Sequence, residues 1–206
     1  MRQAASQDTI RIGVVADTHV PDRVDRLHPE LVPKLIANNV SQILHAGDVC
    51  VTSVLNELAQ IAPVIAVGGN RDWLFLNLLP LVRFFEIAGT SISLVHGHGW
   101  FIPYFMDKWY YLTEGYRQAR YLEKVRKAAP EAKVVVFGHT HQPANLWQAD
   151  QLFFNPGSAS VEPVRNSNPS FGILHFSTGG DVRGEVIKLN GARLENRRWV
   201  PVFEGK

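Results

Sequence analysis

Val134-Val135-Val136-Phe137-Gly138-His139-Thr140-His141 is an apolar run that stops at a glycine and then presents two imidazoles within three residues. The β-branched and aromatic residues read as a buried strand, and the glycine marks where the backbone turns out of it. Paired histidines at that turn supply nitrogen donors of the kind that hold metal ions. A hydrogen-bonded turn would account for this tetrapeptide alone, so the rest of the chain has to decide.

The same design recurs upstream. Ile10 to Ala16 ends in Asp17-Thr18-His19, and Ile43 to Ala46 ends in Gly47-Asp48. Val64 to Val67 ends in Gly68-Gly69-Asn70-Arg71-Asp72, and Ile92 to Val95 ends in His96-Gly97-His98. Five strand ends therefore carry Asp, Asn or His. In open α/β sheets, loops at the carboxyl ends of strands converge on one crevice, which is where ligands bind.

The donor atoms set the chemistry. Carboxylate and imidazole without thiolate suit Mn, Fe, Zn, Ni or Co in a hydrolytic site rather than a zinc-finger staple. Asp17, His19, Asp48, Asn70, His96, His139 and His141 are too many ligands for one ion and about right for two, with the short carboxylate of Asp48 suited to bridging them.

In this order the five motifs resemble those of the calcineurin-like metallophosphoesterases, and within them the small YfcE-type phosphodiesterases. Asn155-Pro156-Gly157-Ser158 resembles a loop that follows the last ligands in those enzymes. The resemblance spans roughly residues 10 to 190. It implies that Asp17, His19 and His141 hold one metal, that Asn70, His96 and His139 hold the second, and that Asp48 bridges. It implies two divalent cations, manganese foremost, with Fe, Zn, Ni, Co or Mg as alternatives. It also implies hydrolysis of a phosphoester, most readily a diester, by a hydroxide shared between the ions. A nuclease or phosphomonoesterase is an alternative, as is a non-catalytic protein-interaction scaffold like the retromer subunit that keeps this fold after losing ligands.

Many family members have histidine where this chain has Arg71, ahead of Asp72. Arginine stays protonated near neutrality, so it clamps phosphate well and donates protons poorly. Asp48, Arg71, Asp72 and His98 are the catalytic candidates, His98 as a substrate-facing or supporting histidine. His45 reads as a structural histidine, and His28 and His175 as ordinary ones.

The chain has 206 residues with 46% hydrophobic content, enough for one domain with a core on both faces of a sheet system. Residues 1–9 read as a polar tail and 10–206 as a single domain. A formal charge of +2 from 21 basic and 19 acidic residues carries no strong nucleic-acid footprint. Arg193, Arg197 and Arg198 read as a solvated terminal segment. Cys50 is the single cysteine, which excludes an intramolecular disulfide, and no run approaches a membrane span. The expectation is a cytoplasmic enzyme acting on a small phosphoester, without membrane or nucleic-acid partners, and with room for homo-oligomerisation.

Residues 29–38 read as a helix with Leu31, Leu35 and Ile36 on one face, and 52–60 as another with Leu55 and Leu58 inward. After Gly138 the pattern changes to hairpins, 142–148 with 152–155 and 171–176 with 182–189. The chain is thus expected to be α/β (α+β), with two packed mixed β-sheets flanked by helices. That is the four-layer αββα sandwich which the metallophosphoesterase resemblance also implies. Between the last two histidine motifs, residues 100–129 carry a helical stripe with Tyr104, Tyr110, Tyr111 and Tyr121 largely off it. Such a surplus suits a cleft wall or a dimer contact.

Overall fold

The computed structural model describes residues 9–72, 79–98, 118–160, 168–177 and 179–202. The polar segment 1–8 and the aromatic stretch 100–117, with Tyr104, Tyr110 and Tyr111, lie outside the described residues. The first half alternates strand and helix: β1 (Ile10–Val15), α1 (Leu31–Ala37), β2 (Gln42–His45), α2 (Thr52–Ala59) and β3 (Val64–Ala66). There follow β4 (Val82–Ile87), β5 (Thr90–Val95), α3 (Gln118–Ala128) and β6 (Val134–Val136). The remainder is hairpins: β7 (Ala144–Gln148) with β8 (Gln151–Asn155), β9 (Ser170–Phe176) with β10 (Val182–Lys188), and β11 (Ala192–Glu195) with β12 (Arg198–Pro201).

Two five-stranded sheets result, ordered β10-β9-β1-β2-β3 and β4-β5-β6-β8-β7. β1, β2 and β3 are parallel in the first sheet, as are β5, β6 and β8 in the second, and antiparallel strands complete both. Period-two alternation puts Ile12 and Val14 between the sheets against Leu94, Val136 and Phe154. Val15, Ile43 and Ile173 face outward against Leu31, Leu35 and Leu58 of α1 and α2. On the far side, Val135 and Phe153 pack against Leu122 and Val125 of α3. These contacts make the expected αββα layering, and no helix among the described residues is long and apolar enough to cross a membrane.

Two expectations change. Ile36 is 57% exposed, so the buried face of α1 is carried by Leu31 and Leu35. β4 was not anticipated: it is an edge strand whose Phe84 is 63% exposed, and its half-buried pattern hides the usual alternation. The C-terminal arginines are exposed, as expected of a solvated segment, but they lie on a hairpin whose Trp199, in β12, is buried, donates its indole N–H to the Arg26 carbonyl at 2.9 Å and meets the His28 ring edge-on. That hairpin props the loop leading from β1 into α1.

The sheets are keyed together by one ring. Phe154 of β8 lies over Gly172 and Gly184 of the other sheet, where an added Cβ would come within 2.5 Å and 2.6 Å of the ring. Phe154→Ala should cost about 3–5 kcal/mol through the cavity it opens, and Gly172→Ala about 1–3 kcal/mol through overpacking. Urea unfolding of both variants measures this, with Phe154→Ala expected to be the more damaging.

Candidate metal centre

Every candidate ligand leaves the carboxyl end of a parallel strand: Asp17 and His19 after β1, Asp48 after β2, Asn70 after β3, His96 after β5, and His139 and His141 after β6. Five of them sit in the left-handed region, with φ of 53° at Asp17, 51° at His19, 55° at Asp48, 66° at His139 and 57° at His141. Such backbone costs about 1–3 kcal/mol per residue and persists only where the surroundings over-determine it. Those surroundings are visible. The Ser158 and Ser160 hydroxyls donate to the Asp17 carbonyl at 2.9 and 3.0 Å, and the His139 N–H donates to Asp17 Oδ2 at 3.0 Å. The Asn155 amide donates to the Gly138 carbonyl and to Thr140 Oγ1, which secures the turn carrying His139 and His141.

The side chains gather in two groups. His19 Nε2 lies 3.2 Å from His141 Nε2, and His141 Nε2 lies 3.4 Å from Asp17 Oδ1. His96 Nε2 lies 3.2 Å from both His139 Nδ1 and Asn70 Oδ1, and His139 Nδ1 lies 2.9 Å from that same oxygen. Asp48 stands between, with Oδ2 3.7 Å from His19 Nε2 and Oδ1 3.5 Å from His96 Nε2. His96 donates Nδ1–H to the Ala46 carbonyl at 2.7 Å, leaving its Nε2 lone pair turned into the site. Buried imidazole nitrogens converging at hydrogen-bond distance suit a shared cation, and the Asp17, His19 and His141 donor atoms all lie within 4.8 Å of one another.

Electrostatics agree. Burial pushes His19 down to about 2, against the pull of Asp17, so the ring is neutral and a competent ligand. Asp48 is raised to about 6, chiefly by burial, with His96 opposing and Asp17 adding to the rise. Burial also raises Asp17, but His141, His96 and His19 outweigh it and hold this carboxyl below the ordinary range. The pocket is poised for added positive charge. Backbone has to come very close to make it: a Cβ on Gly69 would fall 2.2 Å from Asp48 Oδ1, and one on Gly47, at φ +89°, 2.6 Å from His96 Nδ1.

Residues 10–179 match the model of the calcineurin-like phosphoesterase superfamily domain. The chain belongs to that superfamily. It is 36% identical over 177 residues to a probable metallophosphoesterase of Methanothermobacter thermautotrophicus, covering 86% of this chain and 91% of that protein. It is 25% identical over 169 residues to a phosphodiesterase of Methanocaldococcus jannaschii, covering 80% and 92%. In fold it resembles vacuolar protein sorting 29 from Cryptosporidium parvum, with a TM-score of 0.66, 19% identity, and 87% and 98% of the two chains covered.

Within this calcineurin-like frame the remaining candidates separate. Asp72 is buried and accepts backbone N–H groups from Cys50 and Gly69, both at 2.7 Å, so it ties two ligand loops together instead of facing a substrate. Arg71 is exposed at the rim, its backbone N–H on Asp48 Oδ1 and its Nη1 3.7 Å from Asp22. His98 stands beside the second group, its ring 5.3 Å from His96 and 6.3 Å from His139. His45, pushed down to about 4 chiefly by burial, touches Thr18 Oγ1 at 3.2 Å and is structural.

Sequence reasoning missed Asp22 and Ser160, although each lies two or three residues from a motif residue and has hydrogen-bonding capacity. It placed Tyr121 among the surplus aromatics suited to a cleft wall or a dimer contact, not as a brace for histidine loops. From α3, the Tyr121 hydroxyl donates to the Gly97 carbonyl at 2.7 Å while its ring stacks on His139 with centroids 5.8 Å apart. One side chain thus braces both loops of the second group. Tyr121→Phe keeps the ring and deletes the hydroxyl, so Mn2+ affinity should fall about tenfold with only a small change in melting temperature. Calorimetric titration checks it, and unchanged affinity would mean that the ring alone matters.

Proposed function

We propose that this chain is a dinuclear metal-dependent phosphodiesterase acting on a small phosphoester. The observation that carries the proposal is Asp48, whose two carboxylate oxygens face opposite histidine groups at 3.5 and 3.7 Å. Asp17, His19 and His141 would hold one cation, and Asn70, His96 and His139 the other. Asp48 would be shared. Two such cations supply Lewis acidity and activate water at neutral pH.

The chain's own residues do the rest. The Ala46 carbonyl fixes the His96 tautomer, and Asp72 keeps the Asp48 and Asn70 loops in register. Arg71, at the rim, places a permanent positive charge where a non-bridging phosphoryl oxygen gains negative charge in the transition state. Its guanidinium does not release a proton, so His98 is the side chain suited to protonating a poor leaving group. No side-chain nucleophile is required. The name of the Methanocaldococcus jannaschii relative supports a diester substrate.

A second reading, a protein-interaction scaffold, is favoured by the fold likeness to vacuolar protein sorting 29. The two readings part on activity. A screen of Mn2+-, Zn2+- and Fe2+-reconstituted protein against diesters, monoesters and nucleotides should show diester hydrolysis. Asp48→Asn should lower it at least about 100-fold and leave fewer than two ions per chain by elemental analysis. Two bound ions without turnover on any ester would favour the scaffold. Full occupancy and near-normal turnover in Asp48→Asn would contradict the bridging role.

A further inference from the structure

The His19 ring has a second nitrogen, and it points away from the centre just described. Nδ1 is buried and makes no hydrogen bond among the described residues, although the residue is fully enclosed. Its nearest acidic neighbour is Asp22, one oxygen 3.8 Å away, too far for a direct bond. Cys50, buried and held at φ 70°, completes the surroundings: His19 Nδ1 or Nε2, an Asp22 oxygen and the Cys50 sulfur all lie within 4.8 Å of one another. Buried polar atoms almost always have partners, so an orphaned Nδ1 facing a carboxylate 3.8 Å away, in a cluster that also holds a thiol, needs an explanation.

We propose that His19 Nδ1, Asp22 and Cys50 form a separate site for a thiophilic divalent cation such as Zn2+ or Cd2+, and that its occupancy excludes a cation from His19 Nε2. Tetrahedral coordination at usual bond lengths puts ligand atoms about 3.4 Å apart. The 3.8 Å between His19 Nδ1 and Asp22 closes to that by a small swing of Asp22, whose side chain is 36% exposed and gives the cation its way in. Nitrogen, oxygen and sulfur donors together select a soft or borderline ion over Mn2+ or Mg2+. The exclusion is tautomeric. A neutral imidazole has one free lone pair, so coordination through Nδ1 leaves the proton on Nε2.

Cation binding displaces the Cys50 thiol proton to solvent. Asp22 would exchange its contact with Arg71 at 3.7 Å for the metal. Arg23 adds positive charge near His19 and works against the site.

The site does not depend on the phosphodiesterase reading, whereas the exclusion does, so the test reads the two separately. Cd2+ is titrated into Mn2+-loaded protein while the sulfur-to-cadmium charge-transfer absorption and the released Mn2+ are followed. Cys50 is the only cysteine, so the band reports on it alone. The expected result is a band saturating at one equivalent, with Mn2+ released in step. Cys50→Ala should abolish the band, and Asp22→Asn should keep it while weakening Cd2+ binding about tenfold. Absence of the band in the wild-type protein overturns the site, and so does Cd2+ binding of equal strength in Cys50→Ala. A band without Mn2+ release overturns the exclusion. Failure of Mn2+ to bind before any Cd2+ is added contradicts the dinuclear reading and leaves the band to decide the site.

Discussion

One buried carboxylate organises this protein. Asp48 lies between two sets of imidazole nitrogens, and the unusual local features around it can be read as consequences of holding it there. Its own φ is 55°, the Gly69 backbone has to pass so close that a Cβ would collide with it, and the Arg71 N–H caps one oxygen at 2.8 Å. Asp72 spends both of its oxygens joining the two loops that meet around Asp48. The burial that raises Asp48 and depresses His19 costs stability in the isolated chain, and added cationic charge relieves it.

The two-sheet frame exists to make that convergence cheap. Parallel strands β1, β2 and β3 of one sheet and β5 and β6 of the other end on the same side, so five short loops reach one point. Phe154 locks the sheets face to face over two glycines, and α3 ties the second sheet to the site through Tyr121. The left-handed backbone at five candidate ligands is strain stored where it orients donor atoms, and it is held by Ser158, Ser160 and Asn155.

Much of this was legible in the sequence, and for a physical reason. Strand ends announce themselves by apolar runs that stop, and metal-competent side chains are few enough that five such stops in order are informative. The αββα layering and the gathering of Asp17, His19, Asp48, Asn70, His96, His139 and His141 follow from that pattern. The role of Asp72 was not legible, because its partners are backbone N–H groups, one of them 22 residues away, and backbone donors leave no trace in residue type. β4 was missed because an edge strand with exposed Phe84 does not alternate cleanly. The β11–β12 hairpin was missed because charged arginines masked its two buried residues, Ala192 and Trp199. Ile36 shows the reverse error, an apolar residue in a helical stripe that faces solvent.

Anomalous diffraction from crystals of the protein soaked in Mn2+ tests the account most directly. It predicts two peaks about 3.5–4 Å apart, one against Asp17, His19 and His141, the other against Asn70, His96 and His139, with the Asp48 carboxylate spanning them. A single peak, or two peaks that Asp48 does not join, would contradict it.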